Sequence, residues 1–217
     1  MNNRFSTCSQ PTEIYPALSR PAVGGRRGVK PSPRRWTRGE YYKMAEMGIF
    51  APNERVELIE GEILQMPPQN PSHSTGIRTI QETLRIAFGP GFDVRPQLPL
   101  LLNIASEPEP DIAIVRGSFR DYRTAHPRMA LLVVEVSDTT LAFDRCEKAS
   151  LYARADIQEY WIVNLLERVI EVHREARPDP DMPFDYGYAR ITCHDAGDTL
   201  SPLAAPNVKI PVTELLP

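Results

Sequence analysis

The stretch "ALLVVEVSDTT", residues 130–140, places an acidic residue inside a run of strand-forming residues. The apolar residues on both sides of Glu135 indicate a strand that is covered on both faces of its sheet. An unpaired carboxylate at such a position would be costly, so Glu135 needs a partner. The stretch therefore predicts a buried strand and, built on it, a site that holds a charge.

Helices and strands alternate around this strand. Upstream we predict a helix capped by Thr37, a hairpin that turns at Glu60-Gly61, and a longer helix capped by Ser72 or Ser74. Further elements are predicted in "VRPQLPLLLN", "PDIAIV", "LAFDRCEKASLYARAD", "EYWIVN", "RVIEVHR", "YGYARIT" and "NVKIPV". This order predicts an α/β or α+β fold in which a mixed β-sheet is flanked by helices.

Residues 1–35 differ in charge from the rest of the chain. They hold seven Lys and Arg against one Glu, or +6, which leaves 18 basic against 27 acidic residues, or -9, for residues 36–217. Because this Pro-, Gly-, Ser- and Arg-rich stretch lacks an apolar period, we expect a disordered basic tail, followed by a single domain over residues 36–217. A basic arm can reach for phosphates, but solvated disorder is its commoner meaning.

No apolar run approaches the length of a membrane span, and "MNNRFSTCSQ" at the start lacks the apolar region of a secretory signal. We therefore expect a cytosolic protein without a membrane partner.

A second acid is expected to meet Glu135. In "PEPDIAIV", residues 108–115, Asp111 lies at the start of an apolar run, whereas Glu135 lies near the end of the next one. If the two strands pair antiparallel, both carboxylates come to the same edge of the sheet. Two buried carboxylates repel each other unless a proton or a cation intervenes, and a divalent metal ion is the natural cation.

The helix after this strand offers a basic partner. Lys148 lies four residues before Tyr152, so both share a helical face that must turn towards the sheet and Glu135. Glu57, between two apolar residues of the predicted hairpin, is a further acid in an unusual place for a solvated group. The candidates for one site are Glu57, Asp111, Glu135 and Lys148.

Carboxylate oxygens are ligands that suit Mg²⁺ or Mn²⁺. Such a centre polarises a phosphodiester and lowers the pKa of a bound water. A lysine adds a compact positive charge for the transition state or orients the attacking water. These residue types together point to phosphodiester hydrolysis.

The order of these four residues resembles that of the PD-(D/E)XK nuclease superfamily. The segments "VELIEGEILQMPPQNPSHS", "SEPEPDIAIV", "LLVVEVSDTT" and "DRCEKASLYARADIQEYWIVN" resemble the Uma-two family of restriction-type endonucleases, over roughly residues 36–217. The resemblance implies a restriction-endonuclease-like core, with a metal ion at the edge of a mixed sheet. It also implies DNA as the substrate and, because two strands must be addressed, a homodimer.

The resemblance assigns a role to each candidate residue. Asp111, which follows Pro110, and Glu135 are the metal ligands, and the backbone carbonyl of Val136 is a further ligand. Glu57 matches the upstream acid that helps to bind metal or to position water. The pattern is broken at Ser137, where the superfamily has lysine, and Lys148 on the helix is the implied substitute.

Simpler interpretations of these residues stay open at this point. Glu135 or Glu57 could face solvent, and Asp111 could cap a turn after its proline. Lys148 could extend along the helix into solvent or pair with Asp144. His73 is interpreted as a surface or capping-region residue, with a role in the site as the alternative, and Tyr152 is interpreted as a core aromatic.

The sequence thus supports three functions. The first is a Mg²⁺- or Mn²⁺-dependent endonuclease that acts on DNA, the second a catalytically inactive nuclease-like module for DNA binding or assembly, and the third a hydrolase of another phosphate ester. Because residues 36–217 are acidic, DNA binding requires local positive charge. The candidate contacts are the basic tail and Arg78, Arg85, Arg116, Arg120, Arg123 and Arg128.

Overall fold

The structure, a computed structural model, describes residues 32–217. In chain order its elements are α1 (Arg38–Glu46), β1 (Val56–Ile59), β2 (Glu62–Gln65), α2 (Pro71–Phe88), β3 (Phe92–Pro96), β4 (Ile112–Arg116), β5 (Leu132–Ser137), α3 (residues 141–154), β6 (Glu159–Asn164), β7 (Val169–Pro178), β8 (Tyr186–His194), β9 (Thr199–Leu200) and β10 (Ile210–Pro211). Short 3₁₀ turns lie at Phe119–Tyr122 and Val212–Glu214.

A mixed sheet of six strands forms the centre, in the order β3-β4-β5-β6-β7-β8. Strands β5 and β6 run parallel and are connected through α3, whereas the other neighbours are antiparallel. Strand β4 pairs with β5 so that Ile112 faces Val134 and Ile114 faces Leu132. The predicted mixed sheet flanked by helices and the predicted antiparallel pairing are both confirmed.

The sheet lies between two helical layers because the strand side chains alternate between its faces. On one face, Leu132, Val134 and Val136 pack with the apolar stripe of α2, which consists of Ile77, Ile80, Leu84 and Phe88. On the other face, Ala113 and Val133 pack against Tyr152 of α3. Glu135 belongs by alternation to the α3 face.

The β1–β2 hairpin lies beside the segment that leads into β4. The amide of Glu107 donates to the carbonyl of Leu58 at 2.8 Å. Helix α1, which begins with a capping box formed by Thr37 and Glu40, also contacts the hairpin, since the Tyr41 hydroxyl donates to the carbonyl of Val56 at 2.9 Å. These contacts bring β1, with Glu57, towards the start of β4.

The predicted cap of α2 is wrong. Asn70, not Ser72 or Ser74, is the N-cap, and its side chain accepts a hydrogen bond from the amide of His73 at 2.9 Å. Pro71 occupies the first helical position, where its fixed φ suits the helix and its missing N–H removes no helical hydrogen bond. The two serines therefore lie inside the first turns of the helix.

Helix α3 is not a regular α-helix. Leu141–Phe143 and Ala149–Arg154 are α-helical, but Asp144–Lys148 between them form a π-helical turn. Such single π turns are often found at functional sites. Here the turn ends at the lysine that the sequence had singled out.

Arg35–Pro217 form one compact unit. The predicted disorder of the tail concerns mainly residues outside the described range, so it stays a prediction. Within residues 32–217, no helix has both the length and the apolar character needed to cross a membrane.

Candidate active site

Glu57, Asp111, Glu135 and Lys148 line one cavity of about 140 Å³. They are only 4%, 6%, 5% and 3% exposed, respectively. The solvent-facing alternatives for Glu57, Glu135 and Lys148 are therefore wrong. The burial of four ionisable groups around one cavity requires that they satisfy one another.

One hydrogen bond joins Asp111 to Glu135, and a second joins Asp111 to the neighbouring Val136. The amide of Asp111 donates to Glu135 Oε2 at 3.0 Å, and the amide of Val136 donates to Asp111 Oδ2 at 2.9 Å. The antiparallel pairing of β4 and β5 produces this exchange, because Asp111 directly precedes β4 where β5 continues. The two carboxylates thus meet as the strand alternation predicts.

Lys148 lies between two acids. Its Nζ donates to Glu57 Oε2 at 2.6 Å and lies 3.3 Å from Glu135 Oε1. The lysine, carried by α3, therefore connects the hairpin to the central sheet. The ion pairs of Lys148 are with these two residues and not with Asp144, the partner considered from sequence.

Two further residues of α3 contribute to the site and were not assigned to it from the sequence. The hydroxyl of Tyr152, a residue interpreted as a core aromatic, donates to Glu135 Oε1 at 2.7 Å. Asp144 lines the cavity and accepts a hydrogen bond from the Thr140 hydroxyl at 2.7 Å. Helical spacing indicates that such residues face inward, but not what their polar atoms contact.

His73 lines the cavity from the start of α2. Its Nε2 lies 3.2 Å from Asp111 Oδ1. Burial lowers its pKa, but the hydrogen bond and charge of Asp111 outweigh burial and raise the pKa above its usual value. Helix α2 also packs closely on β5 at Gly76. A Cβ at this position would lie 3.0 Å from a methyl group of Val136, so glycine allows the two elements to approach.

The cavity carries a surplus of negative charge. Its acidic lining residues are Glu57, Glu109, Asp111, Glu135, Asp138 and Asp144, whereas Arg55 and Lys148 are its Lys and Arg residues. Burial raises the pKa of Glu135 to about 8, with Asp111 and Asp144 adding to the increase and Lys148 opposing it. Burial likewise raises the pKa of Asp144 to about 6.

The two hydrogen-bond donors on α3 keep their protons. Burial alone would lower the pKa of Lys148, but the charges of Glu135 and Glu57 outweigh it and raise the pKa above its usual value. Burial, reinforced by the charge of Glu135, raises the pKa of the Tyr152 hydroxyl well above its usual value. Both groups therefore act as donors at neutral pH.

The atoms of Asp111 and Glu135 that could serve as metal ligands suit a hard divalent cation. They are oxygens, and such an ion would offset the burial and the neighbouring negative charges that together raise the pKa of Glu135. The N–H of Val136 points to Asp111. Because the N–H and C=O of a strand residue point the same way, the Val136 carbonyl lies on this edge too.

Glu57 differs from these two acids because its carboxylate accepts a hydrogen bond from Lys148. Among residues 32–217, no group of three or more His, Cys, Asp and Glu side chains has the arrangement of a preformed metal site. A centre with two carboxylates and a carbonyl is compatible with this finding, since Mg²⁺ commonly uses one or two carboxylates and retains several waters.

The arginines predicted as DNA contacts do not line the cavity, whereas Arg55, which the sequence analysis did not select, does. Arg85 instead pairs with Glu82 on the exposed side of α2, at 2.7 Å. The Lys and Arg side chains at the site itself thus come from Arg55, directly before β1, and from Lys148 of α3.

The fold and the site define a class of protein: an α+β protein with a buried centre of acids and a lysine at the edge of a mixed sheet. The chain belongs to the Uma2 family, described as "Putative restriction endonuclease", whose profile matches residues 38–213. The resemblance found in the sequence is thereby confirmed.

A solved structure from Anabaena variabilis, described as "a putative nuclease belonging to DUF820", has a similar fold. The TM-score is 0.60 and the identity 16%, with 82% of this chain and 96% of that chain covered. At this identity the likeness establishes the fold alone. No curated protein matches the chain.

Proposed function

We propose that the protein is a Mg²⁺- or Mn²⁺-dependent endonuclease that hydrolyses phosphodiester bonds of DNA in the cytosol. The observation that supports this most strongly is the meeting of the buried side chains of Asp111, Glu135 and Lys148 in one cavity. Family membership supports the same reaction class.

Asp111, Glu135 and the carbonyl of Val136 would hold the cation, and Glu57 would assist. When bound, the metal ion supplies a Lewis acid that activates a water and stabilises charge on the phosphate. Lys148 keeps its proton on Nζ and donates a charge-assisted hydrogen bond to the attacking water or to a phosphate oxygen. Glu57 holds this ammonium through its bond at 2.6 Å.

The charge of the cavity explains why a cation is needed before substrate. Six acidic side chains against Arg55 and Lys148 would repel a phosphodiester. The six acidic and two basic lining side chains sum to a formal charge of -4, so a divalent ion would lower the surplus to -2 and place positive charge where the anionic DNA approaches.

The test is nicking of supercoiled plasmid with Mg²⁺, with Mn²⁺ and with chelator. Nicking should require the metal and fall about 100-fold or more in Asp111→Ala and in Lys148→Ala. Lys209→Ala is the control, because Lys209 is exposed and does not line the cavity. Absence of nicking by the wild type with either metal would reject the proposal.

A second candidate is a hydrolase of a smaller phosphate ester. The observation in its favour is the size of the cavity, about 140 Å³, together with the slight exposure of the four side chains. Hydrolysis of p-nitrophenyl phosphate esters that depends on Asp111, without nicking of plasmid, would favour this function over the endonuclease.

A third candidate is a nuclease-like module that binds DNA or assembles without cleavage. Ser137, at the position where the superfamily pattern has lysine, favours it. DNA binding that is unchanged by metal, together with no cleavage of any substrate, would support this module.

A further inference from the structure

Tyr152 is buried to 0% exposure among apolar residues of the α3 face, yet it does more than fill space. Its hydroxyl donates to Glu135 Oε1 at 2.7 Å. The centroid of its ring lies 5.2 Å from the ring centroid of Tyr160. The hydroxyl contacts Glu135, and Lys148 Nζ lies 5.9 Å from the ring centroid, so both parts of Tyr152 face residues of the site.

The donors around Glu135 are divided unequally between its oxygens. Oε1 lies 2.7 Å from the Tyr152 hydroxyl and 3.3 Å from Lys148 Nζ, whereas Oε2 accepts from the Asp111 amide at 3.0 Å. An ionised carboxylate offers about four lone-pair sites, two on each oxygen. The hydrogen bonds from the Tyr152 hydroxyl and the Asp111 amide use one site on each oxygen, and the Lys148 ammonium lies beside Oε1 as an ion pair, so Oε2 is the oxygen left open to a further cation.

The oxygen left open, Oε2, faces Asp111, whose own carboxylate accepts from the neighbouring amide of Val136. A cation shared by Asp111 and Glu135 would therefore bind Oε2, while Oε1 stays with α3. Without the Tyr152 hydroxyl, the carboxylate could rotate and use both oxygens for Lys148.

We infer that Tyr152 is a positioning residue that holds Glu135 Oε1 and so directs Oε2 to the cation. This inference rests on the proposed function, since it assigns the orientation of one ligand of that same site. Lys148, the last residue of the π turn, and Tyr152, four residues later, act from one helix on one carboxylate.

The experiment compares Tyr152→Phe with Tyr188→Phe. Both tyrosines are buried, and the Tyr188 hydroxyl donates to the carbonyl of Ile157 at 2.8 Å, away from the cavity lining. Each variant loses one buried hydroxyl, so a general effect on the core should be alike in both. Mn²⁺ affinity is measured by calorimetry, and nicking is measured as a function of Mn²⁺ concentration.

Tyr152→Phe should bind Mn²⁺ about 10–100-fold more weakly, as found for residues that orient metal ligands, and should need correspondingly more Mn²⁺ for half-maximal nicking. Tyr188→Phe should keep the wild-type affinity. Wild-type affinity in Tyr152→Phe, or an equal loss in both variants, would overturn the inference while leaving the proposed function intact. A wild type that binds no Mn²⁺ would overturn both.

Discussion

At the scale of the residue, Glu135 shows how a buried strand holds a carboxylate. Its oxygens accept hydrogen bonds from the amide of Asp111 and the hydroxyl of Tyr152, and Lys148 lies beside them. Burial and neighbouring acids nevertheless raise its pKa to about 8. In the absence of metal, Glu135 therefore takes up a proton more readily than a free carboxyl group, and a cation would take the place of that proton.

The raised pKa makes the stability of the metal-free protein depend on pH. An acid whose pKa is raised from 4.5 to about 8 by folding contributes stability below pH 4.5 that is lost as the pH rises through 8. Between pH 5 and pH 8, Glu135→Gln should remove the part of the decline in the free energy of unfolding that comes from Glu135. Urea unfolding of both proteins across that range, with chelator present, measures it. Parallel curves for the two proteins would contradict the raised pKa.

Lys148 should be a strong determinant of stability. Lys148→Met leaves Glu57 and Glu135 without their buried cation, and removal of one partner from such a pair costs about 3–5 kcal/mol. The loss should be smaller at low pH, where the acids take up protons. Urea unfolding at pH 8 gives the value, and Lys209→Met, at an exposed site, should stay within about 0.5 kcal/mol of wild type. A similarly small loss for Lys148→Met would contradict this role.

The sequence predicts the neighbouring carboxylates because strand alternation and antiparallel pairing fix where Asp111 and Glu135 lie. It predicts an inward Lys148 because the helical period assigns it to the sheet side. It does not predict the contact of the Tyr152 hydroxyl, because periodicity reports burial and not the partner of a polar atom. The catalytic roles themselves stay predictions.

At the scale of the element, helix boundaries decide which side chains reach the cavity. Asn70, which lines the cavity, is the N-cap of α2. Its side-chain amide also donates a hydrogen bond to Asp138, another residue of the cavity lining. Serine is an equally good cap by residue type, and the sign that separates Asn70 from Ser72 and Ser74 is the proline that follows Asn70, since proline is favoured at the first helical position. The π turn in α3, by contrast, was not predictable, because one extra residue in a single turn does not visibly change the spacing of the apolar residues along the helix.

The assignment of the cap can be tested by stability. Asn70→Ala should lower the free energy of unfolding by about 1 kcal/mol, because the amide of His73 loses its acceptor. Ser72→Ala, one residue inside the helix, should change it by less than about 0.5 kcal/mol. Thermal and urea unfolding measure both variants. An equal or larger loss in Ser72→Ala would contradict the cap.

At the scale of the whole molecule, the balance of charge sets the conditions for binding DNA. Residues 36–217 carry 18 basic against 27 acidic residues, and the acidic cavity is part of that surplus. The predicted basic tail, the predicted arginine contacts and the predicted homodimer would each help to bring the backbone of DNA to such a surface. The homodimer can be checked by light scattering of the purified protein.

A divalent ion should therefore strengthen DNA binding even without cleavage. Ca²⁺ commonly replaces Mg²⁺ at oxygen sites, and it should tighten binding of a short labelled duplex by about tenfold or more, because it lowers the negative charge of the cavity. Asp111→Ala should lose most of this gain, because a proposed ligand is missing. Fluorescence anisotropy at fixed ionic strength measures both proteins. Equal affinity with Ca²⁺ and with chelator would contradict the expected coupling.

The central claim is that Asp111 and Glu135 hold a divalent cation at the edge of the sheet. The most direct measurement is the anomalous difference density of a crystal soaked in Mn²⁺. We predict one strong peak within bonding distance of the Asp111 carboxylate, Glu135 Oε2 and the carbonyl of Val136. No peak there, in crystals that bind Mn²⁺ elsewhere or not at all, would contradict the claim and leave these acids with a structural role.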